Sequence, residues 1–73
     1  MKYQFKIKTR LNVLRAEKRI SQQELADEIG VTRGTIVAIE GEDYNPSLEL
    51  AFRLATFFKT DIQNIFSISE EKK

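Results

Sequence analysis

The sequence predicts an all-α fold, built from short helices that share one core. Apolar residues recur at helical spacing along most of the chain, and several of these segments begin with helix-capping residues. A chain of 73 residues is long enough for one small core only. We therefore expect a single domain over residues 1–73, with its core at about 6–66 and a frayed tail at 67–73.

The first helix is predicted from about residue 6 to residue 18. Ile7, Leu11 and Leu14 lie at positions i, i+4 and i+7, which form one face of a helix.

The extreme N-terminus has a different pattern. Tyr3, Phe5 and Ile7 alternate with polar residues, as in a β-strand. One interpretation is a short strand that pairs with a second subunit. The other is that Tyr3 and Phe5 simply cover the end of the core.

The segment ISQQELADEIGVTRGTIVAIE, from residue 20 to residue 40, indicates two helices joined by a tight turn. Ser21 and Glu24 fit a capping box at the start of the first, and Thr32 can cap the second. Gly30 tolerates the positive φ that ends the first helix. Two further apolar pairs occupy hydrophobic-staple positions, namely Ile20 with Leu25 and Val31 with Ile36. This is the helix-turn-helix pattern, which proteins use to place a helix in the DNA major groove.

A fourth helix follows with a broad apolar stripe. The stripe comprises Leu48, Ala51, Phe52, Leu54, Ala55 and Phe58. Pro46 is expected near its first turn, with Asn45 or Ser47 as the cap. A short fifth helix is expected from Asp61 through Phe66.

Composition argues against several classes of function. The chain has neither cysteine nor histidine, so disulfides, thiolate or imidazole metal sites and catalysis based on either residue are excluded. We expect no enzyme activity, no cofactor and no metal. Because the sequence shows no signal peptide and no membrane span, a cytoplasmic protein without a membrane partner is expected.

Charge is distributed unevenly although the net charge is only +1. Residues 1–33 carry eight Lys or Arg against four Asp or Glu, whereas residues 34–73 carry four against seven. A basic half is compatible with a nucleic-acid partner, but it is equally compatible with an ordinary solvated surface.

Residues 11–66 resemble the Cro/C1-type, or XRE-like, helix-turn-helix family of phage repressors and small bacterial regulators. The resemblance rests on LRAEKRISQQELADEIGVTRGTI, on the acidic residue and glycine of IEGEDYNPSLELA, and on DIQNIF. It implies a five-helix, lambda-repressor-like DNA-binding domain with the helix-turn-helix at helices 2 and 3. The third helix, about residues 33–40, would be the recognition helix.

The family pattern also implies roles for individual residues. Gln22, at the start of the second helix, would contact a phosphate, where free N–H groups and the helix dipole favour an anion. Arg33 would read guanine or, failing that, bind a phosphate. Val37 and Ala38 would face outward and contact thymine methyl groups, although exposed apolar residues can also lack any function.

Gly34 departs from the family pattern, in which a polar side chain such as Gln is usual. A glycine within a helix lowers helix stability by about 1 kcal/mol relative to alanine. Either it allows the helix backbone to approach DNA closely, or the site reads few bases.

The loop GEDYNPS is implied to run beside the DNA backbone. Glu42 and Asp43 stand where the family often has Lys or Arg, and carboxylates near phosphates are repulsive. Either these side chains point away, or affinity is reduced. We expect backbone or mixed contacts from Gln22, Thr32, Thr35, Tyr44, Asn45 and Arg10, and Lys8 and Arg19 are additional cations that can compensate.

The resemblance further implies an ion pair between Arg15 in the first helix and Glu40 at the end of the third. Such a pair adds little net stability, but removal of one partner strands a partly buried charge. Its role would be to hold the recognition helix against the rest of the domain.

These observations predict a sequence-specific transcriptional regulator. It would be a homodimeric repressor that binds double-stranded DNA and needs no small-molecule ligand. The alternative is a protein-interaction module of the same fold, antitoxin-like or coactivator-bridge-like, with weak DNA binding.

Overall fold

The computed structural model describes residues 4–71 and the side chains of residues 6–69. Five helices lie between two strands, in the order β1 (Gln4–Thr9), α1 (Leu11–Lys18), α2 (Gln22–Ile29), α3 (Arg33–Glu40), α4 (Leu48–Phe58), α5 (Ile62–Ile65) and β2 (Phe66–Glu71). The five helices agree with the expectation. The two strands correct it, because the fold is not all-α.

The strands β1 and β2 form a two-stranded antiparallel sheet, with Ile7 opposite Ile68 and Thr9 opposite Phe66. The first helix was predicted to begin at residue 6, but residues 4–9 are a strand and the helix begins at Leu11. Helical spacing from Ile7 to Leu14 was misleading, since β1 is extended through its pairing with a strand near the other end of the sequence.

The prediction of a frayed tail at 67–73 is wrong as far as Glu71, because these residues belong to β2. One of the two interpretations of the N-terminal pattern was a strand that pairs with a second subunit; the strand is present, but β1 pairs with β2 of its own chain. Tyr3 and the Phe5 side chain, which were expected to cover the core, lie outside the described part of the molecule.

The predicted helix starts are present. The Ser21 hydroxyl accepts a hydrogen bond from the Glu24 N–H at 3.0 Å, and the Ser21 N–H donates to Glu24 Oε1 at 2.8 Å, which completes the capping box. Gly30 ends α2 with a φ of +87°. Of the two caps considered for α4, Ser47 is the one used, so Pro46 precedes the cap rather than lying in the first turn.

One core joins all five helices. It consists of Leu11, Leu25, Ala26, Ile29, Ile36, Ile39, Leu50, Leu54, Ala55 and Ile65. The staple residues Ile20 and Val31 are half-buried against it. The apolar stripe of α4 is covered only in part, because Leu48 and Phe52 remain 71% and 56% exposed. No helix within residues 4–71 has the length and apolar character needed to cross a membrane.

Candidate nucleic-acid interface

Helix α3 presents an outer face to solvent while its inner face is fixed in the core. Ile36 and Ile39 are fully or almost fully buried. On the other side Arg33 and Gly34 are exposed, and Val37 is 42% exposed. An α-helix with its side chains is about 10–12 Å in diameter, and the major groove of B-DNA is about 12 Å wide. The outer face therefore has dimensions that suit the groove.

Ala38 is less accessible than expected. It was predicted to face outward with Val37, but it is half-buried. Only part of its methyl group is available to a ligand, so Val37 is the main apolar residue of this face.

Arg15 and Glu40 form the expected ion pair. Arg15 Nε donates to Glu40 Oε2 at 2.7 Å, and Arg15 Nη2 donates to Glu40 Oε1 at 3.3 Å. A third donor of the same guanidinium, Nη1, reaches the Ile20 carbonyl at 2.9 Å. The hydrogen bond with Glu40 raises the pKa of Arg15 despite partial desolvation. The contact holds the C-terminal end of α3 against α1.

Gln22 also contacts this ion pair, which the sequence did not reveal. Its Nε2 donates to Glu40 Oε1 at 3.1 Å, and its side chain is half-buried. Gln22 therefore ties the N-terminus of α2 to the end of α3. Because an amide nitrogen has two hydrogens, one remains for the phosphate contact predicted for Gln22. No local pattern indicated this contact, since the two residues lie in different helices.

The start of α3 carries two hydroxyl groups. Thr32 Oγ1 accepts from the Thr35 N–H at 3.3 Å and lies 3.1 Å from Thr35 Oγ1. Thr32 is exposed and Thr35 is half-buried. Thr32 thus has the capping role predicted for it, and its exposed hydroxyl borders the outer face of α3.

Tyr44 and Asn45 lie in different surroundings although they are adjacent. Tyr44, 46% exposed, lines a shallow cleft together with Val31 and Thr35, so it lies beside the first turn of α3. Asn45 is exposed and borders an apolar groove that also includes Leu48. The structure therefore places Tyr44 beside α3 and Asn45 beside the start of α4.

The side chain of Glu42, in the acidic loop, is held by a contact within the chain. Its Oε2 accepts a hydrogen bond from the Thr9 N–H at 3.0 Å, and the side chain is half-buried. The carboxylate is thus directed toward the end of β1. Asp43 is exposed, and its N–H donates to the Ala38 carbonyl at 3.0 Å.

Arg10, which was also predicted to contact the DNA backbone, is directed toward α5. Arg10 is exposed, and its Nη1 donates to the Asn64 carbonyl at 3.4 Å, which places the guanidinium at α5. Lys8 and Arg19 are also exposed. Within residues 4–71 no group of three or more His, Cys, Asp or Glu side chains is arranged to hold a metal ion.

Comparisons with known proteins agree with this geometry. A family model described as helix-turn-helix matches residues 11–65. An HTH-type transcriptional regulator of Archaeoglobus fulgidus is 44% identical over 66 residues, which is 90% of this chain and 93% of the relative. The transcriptional repressor RstR of the cryptic phage CTXphi, from Vibrio cholerae, is 36% identical over 62 residues, or 85% of this chain and 56% of the repressor.

A solved structure is also similar. The restriction-modification controller protein C.AhdI of Aeromonas hydrophila superimposes with a TM-score of 0.69 and 33% identity, covering 75% of this chain and 80% of the controller.

Proposed function

The chain belongs to the helix-turn-helix family, and we propose that it is a sequence-specific, DNA-binding transcriptional regulator that acts in the cytoplasm as a dimeric repressor. The observation that carries the proposal is the outer face of α3. Arg33 and Val37 are exposed there, while Ile36 and Ile39 anchor the same helix in the core. Relatives named as transcriptional regulators and as a repressor support it.

In the proposed complex, α3 lies in the major groove. Arg33 pairs with guanine O6 and N7, Val37 contacts a thymine methyl group, and the exposed part of Ala38 adds to that contact. Gly34, which has no side chain, lets the helix backbone approach the bases.

Contacts with the sugar-phosphate backbone position this helix. The N-terminus of α2 with Gln22 offers donors to one phosphate, because unpaired N–H groups and the helix dipole favour an anion. The other backbone or mixed contacts that we propose come from Thr32, Thr35 and Tyr44, which lie at the first turn of α3. For Asn45, which lies beside Leu48, and Arg10, which lies at α5, we propose contacts with phosphates farther from α3.

A dimer is part of the proposal because one α3 reads little DNA. A helix of about 12 Å spans roughly three or four base pairs at 3.4 Å each. Two copies related by a two-fold axis would read half-sites about one helical turn, or 34 Å, apart.

The test compares Arg33→Ala with the unchanged protein on operator and random DNA, the operator being recovered beforehand from random duplexes by selection with the purified protein. We expect discrimination between the two DNAs to fall by about 5-fold or more, since a bidentate base contact contributes roughly 1–3 kcal/mol. Fluorescence anisotropy titrations measure both affinities. The charge control is Lys59→Gln, which removes one positive charge at the far end of α4 and should leave discrimination unchanged. Unaltered operator preference in Arg33→Ala would contradict base reading by this residue.

Gln22→Ala should behave differently. Loss of a phosphate contact weakens binding to both DNAs by a similar factor, because phosphates carry no sequence information. The DNA affinity of the unchanged protein should also fall steeply as the salt concentration rises, because binding releases counterions from the DNA. Absence of measurable DNA binding at low salt would contradict the proposed function and favour a protein-interaction module.

A further inference from the structure

Arg53, in the middle of α4, contacts the end of another helix. Its Nη1 donates to the Ile29 carbonyl at 3.1 Å, and its Nη2 donates to Glu49 Oε2 at 2.6 Å. Ile29 is the last residue of α2, so its carbonyl has no partner within that helix. The residue is only 6% exposed, which leaves water little access to it. The Arg53 guanidinium therefore acts as a cap that α4 supplies to the C-terminal end of α2.

The C-terminal end of α2 has no positive charge of its own. Asp27 and Glu28 lie in its last turn, and none of the residues from Gln22 to Ile29 is basic. The carbonyl groups at a helix C-terminus carry partial negative charge, so acidic side chains there add repulsion. Arg53 lines the same cleft as Glu28 and brings a cation to this end. The contact thus combines a charge-assisted hydrogen bond with a favourable interaction with the helix dipole.

The same guanidinium lies under the turn between α2 and α3. A methyl group added at Gly30 would lie 3.7 Å from Arg53 Nη1. On its other side, Arg53 lines the cleft formed with Val31, Thr35 and Tyr44 beside the first turn of α3. Arg53 therefore connects α4 with both the end of α2 and the start of α3.

The position of Arg33 depends on this turn. Only three residues separate Ile29 from Arg33, so a shift at the end of α2 is passed on to the first turn of α3. A bidentate contact tolerates a displacement of only about 0.5 Å. The contacts of Glu40 hold the C-terminal end of α3, whereas Arg53 acts at its N-terminal end.

We propose that Arg53 is a positioning residue for base reading, which holds the α2–α3 turn from α4 and thereby places Arg33 without itself contacting DNA. This inference rests on the proposed function, in which Arg33 contacts a base.

The first test needs no DNA. Gly30 and Val31 donate their N–H groups to the Ala26 carbonyl at 2.8 and 3.0 Å, so hydrogen exchange of these amides, followed by NMR, reports opening of the turn. Arg53→Met keeps an apolar stem but removes the hydrogen bond and the charge. We expect exchange at both amides to become about 5-fold faster, as loss of one hydrogen bond predicts.

The Leu25 amide is the internal reference for this measurement. It donates to the Ser21 carbonyl at the other end of α2. Exchange at Gly30 and Val31 relative to Leu25 therefore corrects for any change in global stability. An unchanged ratio in Arg53→Met would overturn the proposal.

The second test is a double-mutant cycle on operator and random DNA. Arg53→Met alone should lower discrimination between the two DNAs by about 5-fold. In the Arg33→Ala background it should have no further effect on discrimination, because it acts through Arg33. A residue that only stabilises the fold, or one that binds a phosphate directly, would weaken binding to both DNAs by a similar factor. That result, or equal effects of Arg53→Met with and without Arg33, would overturn the proposal.

Glu49→Ala is the matched control. It removes the other partner of the Arg53 guanidinium but leaves the bond to the Ile29 carbonyl. Exchange at Gly30 and discrimination between the DNAs should both stay unchanged. Arg53→Lys keeps a cation and a donor at the end of α2, so it should recover most of the discrimination lost in Arg53→Met.

The unchanged protein separates this inference from the proposed function. If it binds no DNA at low salt, the proposed function fails, and base reading by Arg33 fails with it whatever the exchange rates show. If it prefers the operator and Arg53→Met prefers it equally, the function stands and the inference fails.

Discussion

Neither packing nor backbone conformation in the folded chain requires a glycine at position 34. A methyl group added there would have its nearest neighbour, Thr32 Oγ1, at 3.8 Å, which is an ordinary contact, and the backbone does not require a positive φ. We therefore predict that Gly34→Ala raises the free energy of unfolding by about 1 kcal/mol, while it weakens DNA binding because the methyl group lies between the helix and the bases. Urea denaturation and anisotropy measure the two effects.

The reverse substitution at a remote position is the control for Gly34→Ala. Ala16 is exposed on α1, so Ala16→Gly should lower the free energy of unfolding by about 1 kcal/mol and leave DNA affinity unchanged. Unchanged DNA affinity in Gly34→Ala would mean that the helix backbone does not approach DNA closely.

Glu42 makes a contact with Thr9 that the sequence could not reveal. The sequence left two possibilities, a repulsive carboxylate beside phosphate or one that points away. The hydrogen bond that Glu42 accepts from the Thr9 N–H directs the carboxylate toward β1, which favours the second possibility. The two residues are 33 positions apart, so neither spacing nor local propensity could have identified the contact. The Arg15–Glu40 pair also joins residues far apart in sequence, at a separation of 25 positions, and only the family resemblance made it predictable.

At the scale of elements, helix starts were predictable and helix ends less so. Ser21, Thr32 and Ser47 cap their helices through bonds to residues three positions away, which is a local pattern. The end of α2 at Gly30 was predictable because glycine readily adopts a positive φ. Arg19 and Lys59 adopt the same left-handed conformation without being glycine. The sheet was missed because β1 and β2 lie near opposite ends of the sequence, so no local pattern reveals that they pair.

Lys59 provides a prediction at the end of α4. Its φ is +55°, and the N–H groups of Lys59 and Thr60 close the helix by bonding to the Thr56 and Ala55 carbonyls. Lys59→Gly keeps both bonds and relieves the left-handed strain, so the free energy of unfolding should rise by about 0.5–1 kcal/mol. Lys59→Ala, which also removes the side chain but keeps the strain, is the control and should give no gain. Equal stability of the two variants in urea denaturation would exclude backbone strain as the cause.

For the whole molecule, the contacts of Glu40 explain how separate short helices hold one rigid surface. None of these helices is long enough to be stable alone. Glu40 at the end of α3 accepts from Arg15 in α1 and from Gln22 in α2, so three helices meet at one carboxylate. The side chain of Glu40 is only 9% exposed. Its removal leaves a guanidinium and an amide partly buried without their acceptor, in a part of the structure that sets the direction of α3.

We therefore predict that Glu40→Ala lowers the free energy of unfolding by about 2–3 kcal/mol. The chain contains a matched comparison in Glu49, which pairs with Arg53 at 2.6 Å but is 75% exposed. Glu49→Ala should lower the free energy of unfolding by about 0.5 kcal/mol or less, because solvent screens an exposed pair. Urea denaturation of both variants measures the difference between the two losses in free energy of unfolding. Fluorescence anisotropy should show weaker DNA binding for Glu40→Ala alone, because only that change releases α3 from α1 and α2. Similar losses of stability in the two variants would mean that burial of Glu40 contributes nothing, and that α3 is held in place by Ile36 and Ile39 alone.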